Sequence, residues 1–200
     1  LIYCPPYTLI SSFSKKFKNC QIGIGGQNCH ENESYGPYTG FINSQMLKNT
    51  GAQFVIIGHS ENREKGENDK LINLKIKSAL AAKLKVIFCI GENLAQKRKK
   101  KTQVVLSRQI KNGLHQIKNK KNIFVAYEPV WAIGTGVVPK SNDLLKIISF
   151  IKSKFKQKST KVLYGGSVNS KNINNLKKIN NIDGFLIGGA SQNAKKFIDI

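Results

Sequence analysis

The chain is 200 residues long and carries 33 lysines and arginines against 11 acidic residues, a formal net charge of +22. That length suits one domain with a substantial core, no apolar run is long enough to span a bilayer, and no segment has the form of a signal peptide. Cys4, Cys20, Cys29 and Cys89 show neither a Cys-x-x-Cys pair nor metal-ligand spacing, which fits free thiols in a reducing cytosol. The charge raises the question of a nucleic-acid partner. Only Arg63, Arg98 and Arg108 are arginines, however, leaving 30 lysines, and arginine is the better reader and stacker of bases. The lysines are spread over every expected helix, densest at residues 97–101, without the interleaved aromatics of a stacking platform. Solvated helix faces are the favoured reading.

In chain order, residues 1–4 read as a strand stopped by Pro5-Pro6, and residues 7–17 as an amphipathic helix. A strand over 20–24 precedes a long polar loop, 27–40, and a short helix at 44–49. The apolar run 54–57 is a strand, followed by His59-Ser60-Glu61 and a helix over 67–83. Residues 86–90 form the next strand, and a long basic helix is expected over 94–119. The run 123–127 is short, β-branched and aromatic, a buried strand. A helix over 142–156 with Ser141 as N-cap, a strand at 161–164, a helix near 170–178, a strand at 185–187 and a last short helix complete the chain. Alternating apolar strands and helices, seven strands in all, mean a parallel sheet covered by helices. Polar or glycine-rich residues follow many of the strands, which suits a barrel with its site at the C-terminal strand ends.

The segment Ala126-Tyr-Glu-Pro-Val-Trp-Ala-Ile-Gly-Thr-Gly136 stands out. Glu128 is a carboxylate at a strand edge with no packing purpose, Pro129 holds it extended, and Trp131, Gly134 and Gly136 give the loop an apolar anchor and a pliable tip. A lone Glu-Pro would be an ordinary strand end, a lone His59 an ordinary hydrogen-bonded histidine, and each Gly-Gly pair an ordinary turn. His30, in a loop, and His115, on a basic helix, read as solvent residues.

Five segments together resemble the triosephosphate isomerase family. They are Ile57-Gly-His-Ser-Glu61, Cys89-Ile-Gly-Glu92, the eleven residues 126–136, Tyr164-Gly-Gly-Ser-Val168 and Ile187-Gly-Gly-Ala190, and their order and spacing cover essentially the whole chain. The resemblance implies a (β/α)8 barrel, here one domain over 1–200 with seven β/α units starting at the second strand. It implies interconversion of dihydroxyacetone phosphate and D-glyceraldehyde 3-phosphate through an enediol(ate), in glycolysis and gluconeogenesis. By the same resemblance Glu128 is the base and His59 the electrophile. Gly134, Ser167, Gly188 and Gly189 contact the substrate phosphate, through main chain that glycine lets approach an anion. Pro129, Trp131 and Tyr164 belong to the lid and its latch, Glu61 and Cys89 support the site, and Glu67 and Glu92 read as structural. The loop 27–40, with Asn28 and Thr39, resembles the loop that joins two subunits. No metal or cofactor is implied, and a cytoplasmic homodimer acting on a small phosphorylated substrate is expected.

The sequence also departs from the family. Leu1 is not an initiator, and nothing before it is present to supply the family's first strand with its Asn-x-Lys motif, so a first unit is expected to be missing. Asn62 stands where arginine is usual, Val137-Val-Pro139 replaces the commoner second hinge, and Phe41 replaces a frequent acidic residue. Two other readings stay open: a degenerate barrel kept for binding or scaffolding, and a lysine-driven nucleic-acid binder, which would show a steep salt slope.

Overall fold

The computed structural model describes residues 1–155 and 160–200, so the expected helix end at Lys156 lies outside the described residues. Two compact units divide the chain: Leu1–Phe88 with Lys111–Ile123, and Cys89–Ile110 with Phe124–Ile200.

The first unit opens with β1 (Ile2–Tyr3), a 3-10 turn at Tyr7–Leu9, α1 (Ile10–Lys16) and β2 (Gly23–Gly26). Next come α2 (Ser44–Asn49), β3 (Phe54–Ile57), α3 (Ser60–Glu64), α4 (Asp69–Ala81) and the start of β4 (Lys85–Ile90). β1, β2, β3 and β4 pair in chain order and all in parallel. Buried Val55 and Ile57 on β3, with Ile72, Ile76 and Ala79 on α4, form its apolar centre, each 0% exposed. The spacing of the last three is the one-face period of a helix. The Asn68 side chain caps α4 by accepting from the Leu71 N–H at 3.0 Å.

The second unit takes the end of β4, then α5 (Leu94–Arg98) and most of α6 (Thr102–Gly113). It continues with β5 (Ile123–Tyr127), a 3-10 turn at Val130–Ala132, α7 (Ser141–Ser153), β6 (Val162–Tyr164), α8 (Ile173–Leu176), β7 (Gly184–Phe185), a 3-10 turn at Gly189–Gln192 and α9 (Ala194–Ile198). β5, β6 and β7 pair in parallel and in chain order. Leu144, Ile148 and Ile151 of α7 are fully buried, again at helical spacing.

Four expectations change. The second strand is Gly23–Gly26, not 20–24, and Cys20 is exposed. Its glycines do not break the strand because its neighbours need the room: a Cβ on Gly25 would sit 2.7 Å from Cys4 Sγ and 3.0 Å from Phe54 Cβ. The long basic helix is two helices, because Lys100 turns the chain with φ 54° between α5 and α6. Ser141 is the first helical residue of α7; Lys140 holds the N-cap position and makes no side-chain cap. His30 is not a solvent residue: its ring lies 4.8 Å from those of both Tyr38 and Phe41, and its side chain is only 10% exposed. His115, by contrast, is exposed as expected.

Candidate active site

In the first unit β3 ends at Ile57, Gly58 takes φ 78°, and His59 becomes the N-cap of α3. The helix at Ser60–Glu64 was not foreseen, and it is what orients the histidine. His59 Nδ1 accepts from the Glu61 main-chain N–H at 3.4 Å, so the proton of a neutral ring resides on Nε2. Glu61 itself is exposed in the first turn of α3. Arg63 fastens the segment by donating to Gly58 O at 2.8 Å and to Asp69 at 2.8 Å.

The same unit holds a polar network that runs from exposed Tyr7 to buried Lys75. Tyr7 Oη donates to Asn28 O at 2.7 Å, and Asn28 Nδ2 donates to Glu67 Oε1 at 2.8 Å. Lys75 Nζ pairs with Glu67 and reaches Asn28 Oδ1 at 3.3 Å. Among the described residues Glu67 Oε2 is buried without a hydrogen-bond partner. Asn28 is thereby fixed at the start of the 27–40 loop, while Thr39 near its end is exposed.

In the second unit Glu128 follows β5 directly and is 2% exposed. Its main-chain N–H donates to Ile90 O at 2.8 Å, tying the end of β5 to the end of β4. Two glycines make room for it. A Cβ on Gly91 would fall 1.7 Å from Glu128 O, and one on Gly165 would fall 2.9 Å from Glu128 Cγ. Cys89 lies at the end of β4 with 0% exposure.

Glu92 is a hub beneath the 129–136 loop. It is 1% exposed and accepts from Tyr127 Oη at 3.2 Å and from Trp131 Nε1 at 2.9 Å. Its carbonyl accepts from the Val130 N–H at 3.1 Å. Lys97 of α5 stands over the Trp131 ring, 3.0 Å from the centroid. Burial first, and the Glu92 carboxylate second, push the Tyr127 phenol well above its usual range, so it remains a donor. After Pro129 and the Val130–Ala132 turn, Gly134 and Gly136 take φ 69° and 77° in exposed positions where a Cβ would meet nothing.

On the other strand ends of this unit, Tyr164 is fully buried with its hydroxyl unpartnered among the described residues. Ser167 O accepts from Asn172 Nδ2 at 3.0 Å, which fixes the turn after β6. Gly188 and Gly189 are exposed, with nothing within 4 Å of a Cβ on either.

The sequence model of the family described as triosephosphate isomerase matches residues 1–200. This chain belongs to the triosephosphate isomerase family. A triosephosphate isomerase of Thermodesulfovibrio yellowstonii is 42% identical over 98% of this chain and 82% of its own length. One of Mesorhizobium japonicum is 41% identical over all of this chain and 80% of its own length. The crystal structure of triosephosphate isomerase from Bartonella henselae superposes with a TM-score of 0.90 at 38% identity, covering 99% of this chain and 83% of that one. The fold is accordingly that of the triosephosphate isomerase barrel.

The second unit gathers Glu128, Pro129, Trp131, Gly134, Tyr164, Ser167, Gly188, Gly189 and Cys89, and the first carries His59, Glu61, Asn28 and Thr39. Sequence reading undervalued two residues. Glu92 passed for a structural carboxylate, although a Gly-Glu at a strand end upstream of a tyrosine and a tryptophan offers both an acceptor. Lys75 went unremarked on the apolar face of α4, where a lysine beside Ile72, Ile76 and Ala79 signals a buried ion pair. Among the described residues no group of histidine, cysteine and acidic side chains is placed to hold a metal ion. No helix among them is long and apolar enough to cross a membrane.

Proposed function

We propose that this chain is an aldose–ketose isomerase that interconverts dihydroxyacetone phosphate and D-glyceraldehyde 3-phosphate. The observation that carries the reading is Glu128, a nearly fully buried carboxylate at the end of β5, leading straight into a proline-led loop with two left-handed glycines. Glu128 takes the proton from the carbon between carbonyl and hydroxyl, and the closed loop keeps water from the enediolate. His59 acts as electrophile. A neutral ring with its proton on Nε2 donates to the developing oxyanion, and the Glu61 N–H on Nδ1 supports that tautomer. The proton of the substrate hydroxyl passes to the former carbonyl oxygen, and Glu128 returns the carbon proton to the neighbouring carbon, so the isomerisation closes with no net change in protons or electrons.

The phosphate is bound by the main chain of Gly134, Ser167, Gly188 and Gly189; the open space around the last two supports this. The unpartnered, buried hydroxyl of Tyr164 supports its role as a latch, since closure of the lid would give it the acceptor or donor it lacks. Pro129 and Trp131 carry the lid between open and closed positions. Cys89 and Glu61 support the neighbouring catalytic groups, and the net charge of +22 draws in a dianionic substrate at low salt. The loop 27–40, with Asn28 anchored at its base and Thr39 exposed, is the subunit-joining element of a homodimer. The setting is cytoplasmic glycolysis and gluconeogenesis.

Glu128→Gln tests the reading. It keeps the shape and removes the base, so turnover falls by about 10²–10⁴-fold while the circular-dichroism spectrum stays unchanged. Turnover near that of the unaltered protein would sink the assignment.

A further inference from the structure

From residue 93 to residue 127 the sequence contains no aspartate or glutamate but ten lysines and arginines. Six of these cations, Lys97 to Lys101 with Arg108, lie in the second unit around the α5–α6 junction. The junction is built firmly. Asn93 and Gln96 close a capping box at the start of α5, with both bonds at 2.9 Å. At its other end Lys100 N donates to Lys97 O at 2.8 Å and Lys101 N to Gln96 O at 2.9 Å, so the left-handed turn is fixed by main-chain bonds.

Between the two helices this leaves an open groove of about 390 Å³. Lys99, Lys101 and Arg108 give it positive charge, and Val104 and Val105 give it an aliphatic surface. Val104 is 68% exposed. Among the described residues neither Lys99 nor Lys101 has a carboxylate within ion-pair distance. A groove that is cationic, aliphatic and preformed has features that triose phosphate chemistry does not call for.

We propose that the α5–α6 groove docks an acidic, leucine-rich segment of a partner protein. Carboxylates on such a segment meet Lys99 and Lys101, and its aliphatic side chains cover Val104, which water otherwise solvates. A nucleic acid is the poorer fit. No aromatic lines the groove to stack a base, and the exposed Val104 offers nothing to a phosphate backbone. Complementary surface charge contributes modestly per pair, so the contact is a weak, salt-sensitive one.

The test is fluorescence anisotropy with the purified protein and a labelled peptide of alternating glutamate and leucine, beside a glutamine–leucine control and a labelled single-stranded oligonucleotide of equal charge. The acidic peptide binds and the control does not. K99E/K101E weakens binding by about tenfold, Val104→Asp weakens it several-fold, and K195E/K196E on α9 leaves it nearly unchanged. All five positions are exposed or partly exposed surface, so each variant retains its fold, checked by circular dichroism. The proposal is overturned if the peptide fails to bind, if K195E/K196E matches K99E/K101E, if Val104→Asp has no effect, or if the oligonucleotide binds as tightly as the peptide.

Discussion

Removing the Glu92 side chain strips two donors of one shared acceptor. In Glu92→Ala, Tyr127 Oη and Trp131 Nε1 both lose their carboxylate partner. A buried donor left unsatisfied costs about 1–3 kcal/mol. Tyr127 is 0% exposed, so its hydroxyl bears the upper end of that range, whereas the partly exposed Trp131 rehydrates and bears the lower end. The sum is about 3–4 kcal/mol, a large share of a typical stability of about 5–15 kcal/mol. For a chain of this size it corresponds to a fall of about 10 °C in melting temperature. Glu92→Gln keeps one accepting oxygen and turns an amide donor toward the other, so about half the loss is expected. Trp131 also loses its anchor, and since it sits on the loop proposed as a lid, kcat is expected to change in both variants. The assay is a thermal melt followed by circular dichroism, paired with steady-state kinetics. An alanine variant melting within a degree or two of the unaltered protein would refute the hub, and a glutamine variant as unstable as the alanine one would refute the acceptor argument.

Gly165→Ala drives a methyl group against Glu128 Cγ at 2.9 Å, so kcat falls by about 10–10²-fold with a smaller change in KM; steady-state kinetics with unchanged kcat would contradict the close packing. Under native conditions iodoacetamide labels Cys20 first, because it is exposed, while burial pushes the Cys4 and Cys29 thiols up to about 12 and keeps them unreactive; mass spectrometry showing Cys29 modified before Cys20 would refute this. Burial likewise raises the phenols of Tyr127 and Tyr164, Tyr127 with help from the Glu92 carboxylate. Groups held protonated in the fold give stability that is complete below the ordinary tyrosine range, near pH ~10, and is lost as pH rises above it. Melting temperatures should therefore drop on the alkaline side, and a flat profile there would count against two buried neutral phenols.

Much of the fold could be read in advance because strands such as Phe54–Ile57 and Ile123–Tyr127 are apolar runs with clear ends, and both lie where expected. The helix at Ser60–Glu64 was invisible because its five residues bury only Ser60 and show no period. The α5–α6 break was hidden for a different reason: lysine is a good helix former, and nothing local announces that Lys100 will turn left-handed. The candidate site was legible as residue types at strand ends. Its supporting contacts were not, since the pairing of Glu92 with Trp131, or of Glu67 with Lys75, depends on packing between segments distant in sequence.

The three glycines of β2 have a consequence for how the chain comes together. A strand with almost no side chains offers little cross-strand contact of its own and gives up more backbone freedom than any other when it is fixed. Its place is defined by Cys4, Leu47 and Phe54, which close to within 3.1 Å of where its Cβ atoms would lie. β2 is thus held by walls that must be standing before it is set between them. It belongs among the last segments of the first unit to lock during folding, and its amides should be among the first there to exchange with deuterium.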